Sequence, residues 1–149
     1  LIPGACEALR TLQQTFRLFI VTNQAGVSDG TITLAQAERV NADLVARLKQ
    51  QGVHITNVYV CPHGKHDACV CRKPKPHFAQ RAAADYNVDL AGSYAVGDHP
   101  ADVLFAANFG GQGIYVLTGH GEKHRHELHD GACITPSIVE AAKRIAHGC

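Results

Sequence analysis

A chain of 149 residues suffices for one domain with a real core, and its 18% charged and 46% apolar content is ordinary for a globular protein and too apolar for disorder. With 14 basic against 13 acidic residues the formal net charge is +1, which gives no electrostatic basis for holding nucleic acid or a membrane surface. No apolar run approaches membrane-spanning length and no basic leader opens the chain, so a cytoplasmic protein is expected.

In chain order, a helix is expected over 4–14, with Pro3 near its start, where a missing backbone N–H costs nothing. The run 16–22 (FRLFIVT) then reads as a short buried strand. The pattern over 33–51 is helical: Leu34, Ala37, Val40, Leu44, Val45 and Leu48 fall on one face, Thr33 with Gln36 fits a capping box, and Gly52 is a stop signal. Strands are expected again at 55–61, 93–97 and 113–117, alternating with helices at 77–86, 101–108 and 137–147. Alternating strands and helices imply an α/β fold, three layers with a mainly parallel sheet, and no repeat or linker divides it. One domain over 1–149 is expected, with ligands at the carboxyl ends of the strands. Thr22-Asn23-Gln24, Cys61-Pro62-His63 and Gly97-Asp98 all stand at such ends.

The segment 61–71 concentrates metal-binding chemistry. Cys61, His63, Cys69 and Cys71 offer three thiolates and an imidazole at short spacing, the set that closes a tetrahedral structural Zn²⁺ site. Cysteines one residue apart strain to pair with each other, which favours a metal over a disulfide. His66 is the competing ligand within the loop; His63 is preferred because Pro62 stiffens its approach. Cys6, Cys133 and Cys149 have no such company and read as buried or free thiols.

Arg72 and Lys73 follow the last of these cysteines. A guanidinium offers a planar fork to phosphate oxygens, and an ammonium a compact charge for a developing oxyanion. Thr22 and Asn23 can donate to the same phosphate. Asp98, with Asp102 one helical turn later, suits Mg²⁺, which takes one or two carboxylates besides water and phosphate oxygens. The bland readings are a solvated charge pair for Arg72 and Lys73, a turn for Thr22 and Asn23, and a helix cap for Asp98. The segment from Gly119 to Asp130 holds His120, His124, His126 and His129; metal binding is open to it, but a solvated loop at the rim of the site is the preferred reading.

Together these residues resemble the haloacid dehalogenase superfamily of phosphatases, in the branch of the heptose bisphosphate and histidinol-phosphate phosphatases. Thr22-Asn23-Gln24-Ala25-Gly26-Val27 with Gly30 is similar to its motif T-N-Q-x-G-[IV]-x-x-G, and Cys61-Pro62-His63 through Cys71-Arg72-Lys73-Pro74 to its zinc loop and lysine motif. Gly97-Asp98 to Asp102 is similar to its G-D-x-x-x-D, and Thr118-Gly119 to the T-G after the last strand of heptose-type members. The resemblance implies a Rossmann-like domain without a large cap and Mg²⁺-dependent hydrolysis of a small phosphorylated sugar, with the heptose bisphosphate as first choice. It implies that Thr22, Asn23 and Arg72 bind the phosphoryl group, that Lys73 also stabilises the transition state, that Asp98 ligates Mg²⁺ and that Asp102 supports the site from behind.

Three features depart from the pattern. His99 stands where this branch often has lysine or arginine. The zinc loop is short, as in histidinol-phosphate phosphatases. The motif D-x-D-G-T, whose first aspartate attacks phosphorus and whose second is general acid and base, occurs nowhere in the 149 residues. The chain begins at Leu1 and has no methionine, which reads as a processed or truncated start lacking the first, central strand and leaving a gap in the sheet. Besides the phosphatase, a non-catalytic zinc-bearing domain that binds phosphorylated ligands or a partner is therefore carried as an alternative, as is a fragment that acts only with upstream residues.

Overall fold

The computed structural model describes residues 1–148, so the expectation for Cys149 lies outside the described residues. The chain forms two compact units, Leu1–Arg72 and Lys73–Cys149. In the first, α1 (Ala5–Leu12) precedes β1 (Leu18–Asn23), a short α2 (Ala25–Ser28), α3 (Leu34–Gln50) and β2 (Ile55–Cys61). β1 and β2 pair in parallel, with Asn23 opposite Cys61. The capping box at α3 forms as read: Thr33 Oγ1 accepts from Gln36 N and Gln36 Oε1 from Thr33 N. The buried face of α3 is narrower than the apolar pattern suggests. Ala37 and Leu48 are buried, whereas Leu34 and Val40 are exposed. Asn41, one turn beyond Ala37, takes an inward place that the apolar count gave to Val40, and its Nδ2 is buried.

The second unit runs α4 (His77–Tyr86), β3 (Tyr94–Gly97), α5 (Pro100–Phe109), β4 (Gln112–Val116), α6 (Gly121–His124), β5 (Cys133–Thr135) and α7 (Ile138–Ala146), with a single 3₁₀ turn, Arg125–Glu127, after α6. Its three strands form a parallel sheet in the order β3-β4-β5, on which α5 and α7 pack. Strand pairing is thus divided between two sheets, where a single sheet with a gap was expected. β5 went unpredicted because three residues, only one of them a large aliphatic, carry no apolar run. β4 explains the core: Ile114 and Tyr115 are fully buried, and the Tyr115 hydroxyl is satisfied by donating to Gly121 O at 2.8 Å. Gly113 is required by packing, since a Cβ there would press on the backbone of Val103 in α5. Among the described residues no helix is long and apolar enough to cross a membrane.

Candidate functional site

Four ligand atoms come together in the first unit. Those of Cys61, His63, Cys69 and Cys71 all lie within 4.8 Å of one another, and His66 is outside the group. β2 delivers Cys61, fully buried at its last position, and the chain then turns so that His63 Nδ1 stands 3.5 Å from Cys61 Sγ and 3.4 Å from Cys71 Sγ. Cys69 Sγ is 3.8 Å and Cys71 Sγ 3.0 Å from Cys61 Sγ. A tetrahedral ion with bonds of about 2.3 Å to sulfur and about 2.0 Å to nitrogen needs neighbouring ligand atoms roughly 3.5–3.8 Å apart. The Cys61–His63 and Cys61–Cys69 separations meet that edge, His63–Cys71 is just under it, and Cys61–Cys71 at 3.0 Å, though shorter, is far too long for a disulfide. The donor set therefore fits Zn²⁺. Burial, then the nearby Cys61 sulfur, pushes the Cys71 thiol up to about 12. Burial acts against Cys69 too, but hydrogen bonds from the Arg72 and Cys71 backbone and from the Cys61 and Cys71 side chains bring it below the ordinary value.

Asp67, not singled out from the sequence, organises the loop. Its carboxylate accepts from Gly64 N and from the Ser28 hydroxyl, and these bonds, Ser28 first, hold it below the usual carboxylate range. The signal in the sequence was an aspartate three residues after Gly64, the spacing of a side chain closing its own turn. Arg72 leaves the loop with its guanidinium donating to His63 O at 3.1 Å. Thr22 and Asn23 end β1 beside Val60 and Cys61, and Gln24 N donates to Cys61 O at 2.8 Å. Thr22 Oγ1 accepts from Gln24 Nε2 at 3.4 Å. The first unit thus sets Thr22, Asn23 and Cys61 at the carboxyl ends of paired strands.

Lys73, Asp98 and Asp102 belong to the second unit. Lys73 Nζ is 2.7 Å from Asp102 Oδ1, and both side chains are largely shielded, at 14% and 11% exposure. Asp102 Oδ2 accepts from His99 N at 3.1 Å, so both oxygens of this buried carboxylate are engaged. Gly97 makes this possible, because a Cβ there would lie on the Asp102 carboxylate. The first glycine of G-D-x-x-x-D is thus a steric requirement of its last aspartate. The helix cap is His99, whose Nδ1 accepts from Ala101 N at 3.2 Å with Pro100 following at the first helical position. That reverses the bland reading of Asp98. Its carboxylate stays outside the cap, and Oδ2 accepts from His120 N at 2.8 Å. Gly119, at φ 64°, turns the chain to present that N–H, and any Cβ there would meet the Asp98 carboxylate. Burial, then the charge of Asp98, pushes the Tyr115 hydroxyl upward.

A strand-end carboxylate, an ammonium locked on a buried aspartate and helices laid on parallel strands are the makings of an anion-handling α/β site. A family model for HAD-hydrolase-like proteins matches residues 70–141. The chain is 37% identical over 147 residues to a D-glycero-beta-D-manno-heptose-1,7-bisphosphate 7-phosphatase of Bordetella bronchiseptica, covering 97% of this chain and 82% of that one. The enzyme of that name from Pseudomonas aeruginosa is 37% identical over 146 residues, with coverages of 97% and 82%. Among solved structures, D,D-heptose 1,7-bisphosphate phosphatase from B. bronchiseptica, complexed with magnesium and phosphate, superposes with a TM-score of 0.87 at 32% identity, covering 98% of this chain and 83% of that one. The chain belongs to the haloacid dehalogenase-like phosphatases, among the relatives of the heptose bisphosphate phosphatases.

Proposed function

We propose that this chain carries the phosphate- and metal-binding part of a Mg²⁺-dependent phosphomonoesterase acting on a small phosphorylated sugar, with the 7-phosphate of a heptose 1,7-bisphosphate as its substrate. The observation that carries the reading is the Lys73–Asp102 pair, which fixes an ammonium on a shielded carboxylate within a G-D-x-x-x-D frame. Asp102, with both oxygens engaged, is a positioning residue, and Lys73 faces the transferring phosphoryl group as its fixed positive charge. Thr22 and Asn23 donate to phosphoryl oxygens, and Arg72 neutralises a second phosphate charge. Asp98 is the Mg²⁺ carboxylate, and the ion supplies charge neutralisation at the phosphoryl oxygens. Cys61, His63, Cys69 and Cys71 hold Zn²⁺ as a closed structural clasp, supported by the fit of their separations to a tetrahedral ion. None of the five described cysteines forms a disulfide, which accords with a reducing compartment.

The attacking aspartate of the family is not among the 149 residues. The second reading is a domain that binds phosphorylated ligands without turning them over. Phosphate release from heptose 1,7-bisphosphate and from histidinol phosphate, measured with Mg²⁺ present and withheld, separates the two. Magnesium-dependent release with the heptose bisphosphate preferred supports the enzyme, and preference for histidinol phosphate overturns the substrate. Calorimetric binding of inorganic phosphate with Mg²⁺, lost in Lys73→Met but unaccompanied by release, selects the second reading. A folded chain that neither binds nor releases phosphate overturns both.

A further inference from the structure

Outside the residues just described, one cluster in the second unit has ligand chemistry that the phosphatase reading does not use. One ligand atom each from His99, His124 and Glu127 lies within 4.8 Å of the others. Two pieces of chain supply them: the residue after Asp98, and the continuous stretch of α6 and the 3₁₀ turn, on which His124 and Glu127 stand three residues apart. The His99 and His124 rings stand 4.8 Å apart, and His124 Nδ1 is 2.6 Å from Glu127 Oε1. The neighbouring His126 is 78% exposed, its Nε2 4.0 Å from the same carboxylate oxygen, and lies outside the group. His129 bonds its own segment instead, at Asp130 O.

We infer that His99, His124 and Glu127 form a second, exchangeable site for a borderline transition-metal ion such as Ni²⁺ or Zn²⁺. Two imidazoles and one carboxylate are a donor set for Zn²⁺, Ni²⁺ or Cu²⁺, whereas Mg²⁺ prefers oxygen ligands alone. The ion replaces the His124–Glu127 hydrogen bond, the ring proton passing to the other nitrogen of the neutral imidazole, and His99 gives up the bond that its Nδ1 accepts from Ala101 N. Unlike the closed Cys₃His set, three protein ligands on an exposed rim leave coordination positions open to water, so the ion exchanges readily. Because His99 directly follows Asp98, while His120, which opens the same segment as His124, donates its backbone N–H to Asp98, the ion would clasp the rim to the loop that carries the catalytic carboxylate.

Calorimetric titration with Ni²⁺ of the chain carrying a single equivalent of zinc tests this, with retained zinc measured in parallel by mass spectrometry. One Ni²⁺ equivalent is expected, with affinity lowered at least about tenfold in His124→Ala and in Glu127→Gln and unchanged in His129→Ala. Circular dichroism confirms that each variant is folded. Absence of binding, binding that survives both substitutions, or equal loss in His129→Ala overturns the site. Nickel held at the cysteine cluster instead would displace zinc and ignore His124→Ala, so the two sites are told apart.

Discussion

Replacing Asp102 with leucine removes two interactions at once while keeping the branched outline of the side chain, with bulkier methyls in place of the oxygens. The first is the charge-assisted bond to Lys73 at 2.7 Å, and the second is the acceptor for His99 N at the start of α5. Bonds to charged groups contribute about 1.5–3 kcal/mol, and loss of a helix N-terminal acceptor costs about 1 kcal/mol. With the lysine left at 14% exposure and unable to hydrate fully, the substitution should destabilise the chain by about 3–4 kcal/mol. Lys73→Met is milder, about 2 kcal/mol, because Asp102 keeps its bond to His99 N. In the double variant no charge is stranded and chiefly the helix-cap loss remains, so the cycle should return a coupling of at least about 2 kcal/mol. Urea unfolding followed by circular dichroism gives the four values, since the chain has no tryptophan to report by fluorescence. Equal m-values license the comparison. A coupling below about 0.5 kcal/mol, as found for solvated surface pairs, would refute the claim that Asp102 locks the lysine.

Other expectations can be checked separately. Gly119→Ala should weaken Mg²⁺-dependent phosphate binding by at least about tenfold by displacing the Asp98 carboxylate, a change of about 1.4 kcal/mol; calorimetry showing unchanged affinity would separate Gly119 from the metal residue. Stripping zinc, or Cys71→Ser, should lower the thermal midpoint and expose the 61–71 loop to protease, and zinc rebinding should release protons as the thiols ionise. Ser137 caps α7, accepting from Val139 N at 3.1 Å, so Ser137→Ala should cost about 1 kcal/mol in urea unfolding. The same hydroxyl donates to Glu140 and holds its carboxyl below the ordinary 4.5. A depressed carboxylate stabilises above its unfolded value and loses that contribution as pH falls through the folded one, so the carboxylate's share fades as pH falls below the ordinary 4.5. Carboxyl NMR titration should find Glu140 shifted downward in the parent and less so in Ser137→Ala.

Much of this was legible in the residues because the devices concerned are local. A capping box needs only Thr33 and Gln36, and α4 falls over 77–86 as its apolar spacing requires. The metal cluster could be read because all four ligands lie within one short loop. The G-D-x-x-x-D string announced two carboxylates but not their division of labour. That division depends on His99 taking the cap and on a backbone N–H arriving from beyond β4. β5 was hidden for a similar reason: Cys133-Ile134-Thr135 owes its strand geometry to β4 beside it rather than to its own pattern. In the cluster of His99, His124 and Glu127 the last two are one helical turn apart, but no periodicity encodes the approach of His99.

The hold that His120 N exerts on Asp98 has a bearing on how such a protein can change over generations. Both anchors after β4 are main-chain groups, the His120 N–H on Asp98 and the Gly121 carbonyl under Tyr115. Main-chain groups survive most substitutions of the residues that bear them. The stretch beyond Gly121 is therefore open to replacement while Asp98 and Tyr115 keep their anchors, and new rim side chains can be tried one after another around them.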